Sequence, residues 1–259
     1  MSDDPVTPSA RAALWDRLRA ASPARLALGR VGHAPPLGAV LAFQLDHARA
    51  RDAVHAPLDS GALADELAPM PTIVVTSAAG DRATYLRRPD LGRALAAGCA
   101  EQLACGQGGY DVAIVIGDGL SATGVQNGAA RLVHALIGEL QGLTVAPIVI
   151  ATGARVALGD PIGEALRARA TVMVIGERPG LTVADSLGIY LTFSPRSGRA
   201  DSERNCISNI HANGGLSAQH AASLLARLLR EALRRGLSGV DLKDDADVLP
   251  APDTKRIPE

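Results

Sequence analysis

Aromatic side chains are almost missing from this sequence: one Trp, three Tyr and two Phe make up 2% of 259 residues. Nor is there a surplus of positive charge, since 26 Lys and Arg stand against 27 Asp and Glu, scattered along the chain. Without a basic stripe or rings on which bases could stack, a nucleic-acid partner is excluded. Cysteine is scarce as well. Cys99, Cys105 and Cys206 are odd in number and show no C-x-x-C spacing, which argues against a disulfide framework and against a zinc site, so no metal ligands are assigned. No apolar run approaches the length needed to span a bilayer. The first residues, up to Arg19, mix charges with apolar groups, unlike a secretory signal. These absences lead to the expectation of a cytoplasmic protein with no membrane partner.

What is present is aliphatic. Hydrophobic residues form 47% of the chain, so a core of interlocking Ala, Leu, Val and Ile is expected. Residues 8–21 and 37–54 show apolar positions at helical spacing and predict two N-terminal helices. The β-branched run 72–77, the Gly80-Asp81 turn signal and residues 83–87 together predict a β-hairpin, and Pro89 then opens a helix to about Leu103. From Tyr110 onward, buried strands alternate with helices: strands at 111–116, 145–151, 171–175 and 187–193, with helices at 123–140 and from Pro161. That alternation is the pattern of a parallel sheet. A last helix over 217–235 ends at Gly236. The predicted fold class is α/β: an open, mostly parallel, Rossmann-like sheet with flanking helices, plus a small N-terminal helical segment and the hairpin. The expected organisation is an N-terminal helical segment over 1–70, an α/β domain over 71–240 and an unstructured tail over 241–259.

In open parallel sheets ligands collect beyond the carboxyl ends of the strands, and four loops qualify: 117–121, 154–160, 176–181 and 195–215. The first, G-D-G-L-S-A, fits a permissive dinucleotide fingerprint, which gives a nicotinamide-dependent oxidoreductase as the alternative reading. The acidic residue that should bind the ribose is missing from the end of the next strand, and a tight turn explains the glycines equally well. Ser121 reads as a helix cap rather than a nucleophile, because Thr123 breaks G-x-S-x-G. His211 in N-I-H-A-N-G lacks the aspartate two residues before it that would raise an imidazole ligand's basicity, so it reads as a loop-organising hydrogen-bonder. Glu177 reads either as a solvated carboxylate paired with Arg178 or as an acceptor for a ligand's amide groups. Cys206 reads either as a small buried hydrophobe or as a contact residue.

Several segments, in order, resemble the small subunit of ethanolamine ammonia-lyase: R-V-G at 30–32, L-D-H-A-R-A-R-D-A-V at 45–54, Y-L-R-R-P-D-L-G-R at 85–93, G-D-G-L-S, R-V-A-L-G-D-P-I-G-E, G-E-R-P-G-L and C-I-S-N-I-H. The resemblance runs from about Arg30 to Gly239. It implies conversion of ethanolamine to acetaldehyde and ammonia with adenosylcobalamin bound base-on, the cofactor's own base remaining on cobalt. It implies a large subunit as partner, carrying the substrate site, with this chain forming part of the cobalamin site where the two subunits meet. By resemblance the cobalamin contacts fall on Val156, Glu177 and Cys206: Val156 to pack, Glu177 to accept from an amide and Cys206 to contribute through its backbone and small volume. No residue of this chain is expected to be catalytic, and the chain is expected to be inactive alone. Relatives are often housed in bacterial microcompartments, so the cytoplasmic expectation includes that setting.

Overall fold

The structure, a computed structural model, describes residues 8–22, 24–105 and 108–243. Two helices open it, α1 (Pro8–Ala21) and α2 (Leu37–His55). A short helix α3 (Ser60–Glu66) follows, capped by the Asp59 carboxylate, which accepts from the N–H of Ala62 at 3.0 Å. Strand β1 (Thr72–Thr76) then leads into α4 (Arg82–Arg87), a 3-10 turn over Leu91–Arg93 and α5 (Cys99–Ala104). The rest of the sheet is built from β2 (Val112–Gly117), β3 (Ile148–Thr152), β4 (Ala170–Gly176), β5 (Leu187–Phe193) and β6 (Arg204–Ile210). Helix α6 (Ala122–Glu139) follows β2; a 3-10 turn over Val156–Leu158 and α7 (Gly159–Ala165) follow β3; α8 (Ala218–Arg235) follows β6.

The strand order is β1-β3-β2-β4-β5-β6. The pairs β1–β3, β3–β2 and β2–β4 are parallel, while β4–β5 and β5–β6 are antiparallel. The α/β class and the mostly parallel sheet with flanking helices are therefore as the sequence predicted, with Rossmann-like a loose description of this mixed sheet. The two N-terminal helices also form where the apolar spacing put them. Serine hydroxyls start the long helices: Ser121 Oγ accepts from Gly124 N–H at 3.0 Å and Ser217 Oγ from His220 N–H at 3.2 Å. Gly236, at φ +72°, stops α8.

Four expectations need correcting. The hairpin does not form, because Asp81 accepts from Thr84 N–H at 2.9 Å and from its hydroxyl at 2.7 Å, starting α4 where a second strand was predicted. The helix expected from Pro89 to Leu103 is broken into a 3-10 turn and α5 at Gly98, which sits at φ +83°. Strand β5 runs antiparallel to β4: its connection, 177–186, contains no helix, and a parallel return needs a crossover of about a dozen residues or more. The predicted loop at 195–215 contains β6. Of the expected tail, residues 244–259 lie outside the described residues, and Leu242 is buried at 2% exposure against the main core.

The period-two pleat sends side chains to two cores. On one face Ile114, Ile116, Ile150, Val172, Val174, Ile189 and Leu191 pack beneath α6 and α8 and against Leu63 of α3 and Leu67 at its end. On the other, Val115, Val149, Ala151, Met173 and Ile175 pack against Leu103 of α5 and against Leu158 and Ile162 beside and within α7. This second cover is carried by elements that follow β3 and precede β2, and Tyr190 of β5 is only partly buried at its margin.

Candidate functional site

Residues 117–121, the first glycine-rich loop, are pressed into the protein rather than left open. Leu120 N–H donates to Gly176 O at 2.9 Å, a Cβ on Gly119 would strike Gly176 O, and one on Gly176 would strike Ser121 O. The glycines thus let two backbones at the ends of β2 and β4 touch. Asp118, buried, reaches across to the end of β3, where its carboxylate accepts from Gly153 N–H at 2.9 Å and Ala154 N–H at 2.8 Å and pairs with Arg82 at 3.2 Å. The burial pushes its pKa up, against the opposing pull of those hydrogen bonds and of Arg82. Ala154 is pinned from both sides, because Tyr85 Oη donates to its carbonyl at 3.0 Å. Arg82 and Arg155 lie over the Tyr85 ring at 4.7 and 4.5 Å from its centroid. Burial raises the Tyr85 pKa to about 12. The result is a braced turn at 153–156, projecting Arg155 and Val156.

Beside that turn the sheet is left uncovered over β5 and β6. In register, Tyr190 sits between Met173 on β4 and Cys206 on β6, all on the face opposite α6 and α8. Two adjoining cavities open there. One of about 310 Å³ is lined by Arg93, Val156, Tyr190, Asp201, Arg204 and Cys206 among others. The second, of about 410 Å³, holds Tyr85, Leu120, Glu177, Arg178 and Tyr190 in its wall. Arg155, Val156 and Tyr190 belong to both. The floor is tied by a buried ion pair, with Arg204 donating to both carboxylate oxygens of Asp160 at 2.6 and 2.7 Å and each side chain 2% exposed.

Glu177 stands at the upper rim, just past β4. Ser186 Oγ donates to its Oε2 at 2.6 Å, and the N–H of Asn209 faces both its oxygens at 3.4 Å. Gly188 makes room for it, since a Cβ there would come 2.9 Å from Glu177 Oε1. Lower down, Tyr190 and Cys206 face one another in register across β5 and β6. Burial, then the neighbouring Cys206 and Glu177, raise the Tyr190 pKa to about 12. The Cys206 pKa is raised chiefly by burial and also by the Glu177 charge, with Tyr190 pulling the other way. With both pKa values raised, the surface presents a phenol and a thiol at neutral pH, with Glu177 as an acceptor beside an isopropyl group: a polar-edged apolar shelf suited to holding a ligand, with no activated nucleophile.

Comparisons with known proteins bear on what such a shelf serves. The model of the family "Ethanolamine ammonia-lyase light chain" matches residues 12–243. A protein of Azotobacter vinelandii named ethanolamine ammonia-lyase small subunit is 52% identical over 90% of this chain and 89% of its own. Identically named proteins of Xanthomonas campestris and Bradyrhizobium diazoefficiens are 49% and 53% identical, over 94% and 88% of this chain and 91% and 90% of theirs. The chain belongs to the ethanolamine ammonia-lyase light-chain family.

The residues singled out from sequence are placed as follows. Val156 and Glu177 lie in the loops from which they were read, half-buried and facing the cavities; Cys206 lies on strand β6, exposed, not in a loop. Glu177 is held by Ser186 and Asn209; among the ion pairs of the described residues a pairing with Arg178 does not occur. His211 does organise its loop: Asn213 N–H donates to Nδ1 at 3.2 Å, so the ring proton sits on Nε2, 2.8 Å from Asn209 Oδ1. Sequence reasoning missed Tyr190, Arg155, Tyr85 and Ser186. The rarity of tyrosine was an available signal, since two of the three line these cavities. Nothing local marked Arg155, whose setting is made by β1–α4 residues distant in sequence.

Proposed function

We propose that this chain is the small subunit of an adenosylcobalamin-dependent ethanolamine ammonia-lyase, working with a large subunit to convert ethanolamine to acetaldehyde and ammonia. On this reading the chain contributes to a lyase without activity of its own. The observation that carries the proposal is the uncovered β5–β6 shelf, which brings Val156, Glu177 and Cys206 around Tyr190 on a chain of this family.

The residues present fit a base-on corrinoid, a broad apolar ring edged by amide arms. Val156 and the Tyr190 ring give apolar contact, Glu177 keeps acceptor capacity beyond the Ser186 bond, and the buried Nε of Arg155 lacks an acceptor. When bound, the cofactor supplies a carbon radical by breaking its cobalt–carbon bond. The chain's own part is to hold and orient. Val156 and Cys206 exclude water from one edge; Glu177, fixed by Ser186, accepts from an amide N–H; and the 153–156 turn, braced by Asp118 and Tyr85, sets the position of Val156. No helix among the described residues is long and apolar enough to cross a membrane. The setting proposed for this lyase is the cytoplasm, free or within a bacterial microcompartment.

Reconstitution tests the proposal: acetaldehyde formation from ethanolamine, large subunit and adenosylcobalamin should depend on adding this chain. Equal turnover with and without it would refute the assignment. Within the complex, Glu177→Gln should raise the cofactor concentration needed for half-saturation, consistent with loss of a charge-assisted hydrogen bond of about 1.5–3 kcal/mol. The ethanolamine KM should hold nearly constant.

A further inference from the structure

We propose that Arg155 binds the phosphodiester of the cofactor's nucleotide arm, so that this subunit grips the corrinoid by its one anionic group as well as by its apolar edge. The inference rests on the cobalamin reading above and adds a residue and a chemical group to it.

Three arginines are built into this part of the fold, and in two of them most of the guanidinium is bonded, leaving one buried nitrogen each, Nη2 of Arg82 and Nε of Arg204, without an acceptor. Arg82 bonds to Val54 O, Asp118 and Gly119 O; Arg204 is forked onto Asp160. Arg155 is different. Its backbone N–H is fixed on Gly92 O at 2.8 Å and its guanidinium lies over the Tyr85 ring, yet its buried Nε has no acceptor. Among the described residues no hydrogen bond or ion pair is formed by the rest of that guanidinium. The two Nη nitrogens make no bond within the described residues and, unlike Nε, are not shut off from the cavities, so they are the donors that a ligand's oxygen would meet.

Position and charge say what kind of oxygen. Arg155 stands where the two cavities meet, between Val156 and Tyr190. Arg93 lines the outer wall of one cavity and Arg178 that of the other, both exposed and neither in an ion pair among the described residues. Facing them are two carboxylates. Glu177 takes hydrogen bonds from Ser186 and Asn209, and Asp201 lies 3.6 Å from Arg204 Nε; neither is paired with Arg155. The lining is thus rich in guanidinium around one donor with no carboxylate of its own. A planar guanidinium fork, placed over an aromatic ring, matches a phosphate's paired oxygens and loses little freedom on binding. An amide carbonyl would satisfy one N–H but would not call for three cations.

Corrinoids with and without this phosphate provide the test, cobinamide phosphate and cobinamide differing in it alone. Dissociation constants of cyanocobalamin, cobinamide phosphate and cobinamide would be measured by absorbance with the two-subunit complex and with its Arg155→Gln and Arg155→Lys variants. The native complex should hold cobinamide phosphate more tightly than cobinamide. Arg155→Gln should weaken cyanocobalamin and cobinamide phosphate about 10- to 100-fold while leaving cobinamide unchanged, and Arg155→Lys should recover part of the loss. Equal weakening of all three corrinoids, or of none, would overturn the proposal. So would dissociation of the subunits by Arg155→Gln in sedimentation, which would mean that Arg155 pairs with a carboxylate of the partner chain. Should Arg155→Gln fail to fold, the lysine variant alone must show the phosphate-selective loss. Failure of the native complex to bind cyanocobalamin at all would instead remove the cobalamin reading on which the inference rests.

Discussion

On one side of the sheet, α6 and α8 lie along the strands and bury an unbroken aliphatic layer from Ile150 on β3 across to Ile207 on β6. On the other side the cover stops short: α5 and α7 shield the middle strands, and from Tyr190 outward the β5–β6 ribbon faces the cavities bare. The same pleat supplies both faces, but they are held by different forces. Dispersion and water exclusion hold the closed face; on the open face, where apolar cover runs out, the strands are moored to α7 by the Arg204–Asp160 pair. A surface meant to receive something cannot be finished with its own side chains, so its order has to come from charge and hydrogen bonds beneath it.

Breaking that mooring should have the largest effect. Asp160→Ala leaves Arg204 charged and buried, with Thr192 Oγ1 at 2.9 Å, Arg199 O at 3.0 Å and the exposed Asp201 carboxylate, 3.6 Å from Nε, as its remaining partners. Removing one partner of such a pair typically costs about 3–5 kcal/mol, read as a lowered midpoint in urea. A loss under about 1 kcal/mol would show that the open side does not depend on this pair.

The closed face should respond nearly as strongly, and by volume rather than charge. Leu229→Ala, at a fully buried position of α8, should cost about 2–5 kcal/mol. Cys206→Ala, on the bare ribbon of the same sheet, should change stability by no more than about 0.5 kcal/mol. Similar losses at both positions in thermal melts would erase the distinction between the faces.

Legibility in the sequence follows the same division. Strands β2, β3 and β4 are buried on both faces and read as continuous apolar runs, and α6 and α8 carry their own start and stop signals. The closed side was therefore visible residue by residue. Strand β6, R-N-C-I-S-N-I, buries only Arg204, Ile207 and Ile210, with a register shift interrupting its pairing to β5, so neither alternation nor an apolar run announces it. Helix α4, with six residues, is too short to show a period. At the site, family resemblance supplied Val156, Glu177 and Cys206, whereas Tyr190 and Arg155 acquire their setting only when β5 turns back beside β4 and α4 packs under the 153–156 turn. Those are long-range events that local pattern cannot carry.

The brace behind the open side gives a pH dependence whose sign is fixed. Tyr85 and Tyr190 ionise near 12 in the fold and near 10 in an unfolded chain. Between those values the folded state binds more protons, so stability should fall as pH rises from about 10 to 12. Tyr85→Phe should flatten that decline. At neutral pH it should cost about 1 kcal/mol, because the buried Ala154 carbonyl loses its donor. An unchanged slope in urea titrations across that range would show that Tyr85 ionises as freely in the fold as out of it.

The smallest effect is the most local, and it probes whether the rim and the ribbon form one surface. Partial desolvation beside Tyr190 and the Glu177 charge both hold the exposed Cys206 thiol above its ordinary pKa, so at pH 8 the free chain should alkylate at Cys206 more slowly than a free cysteine does. Glu177→Gln removes the charge but not the burial. The thiol pKa should then drop and the thiolate fraction rise. Because intrinsic nucleophilicity falls only about half as steeply as pKa, the net rate should increase about two- to five-fold. Peptide mapping after iodoacetamide would follow Cys206 separately from Cys99 and Cys105. A rate indifferent to Glu177 would mean that the rim carboxylate and the strand thiol do not sense one another across Tyr190, and the open face would divide into two independent patches.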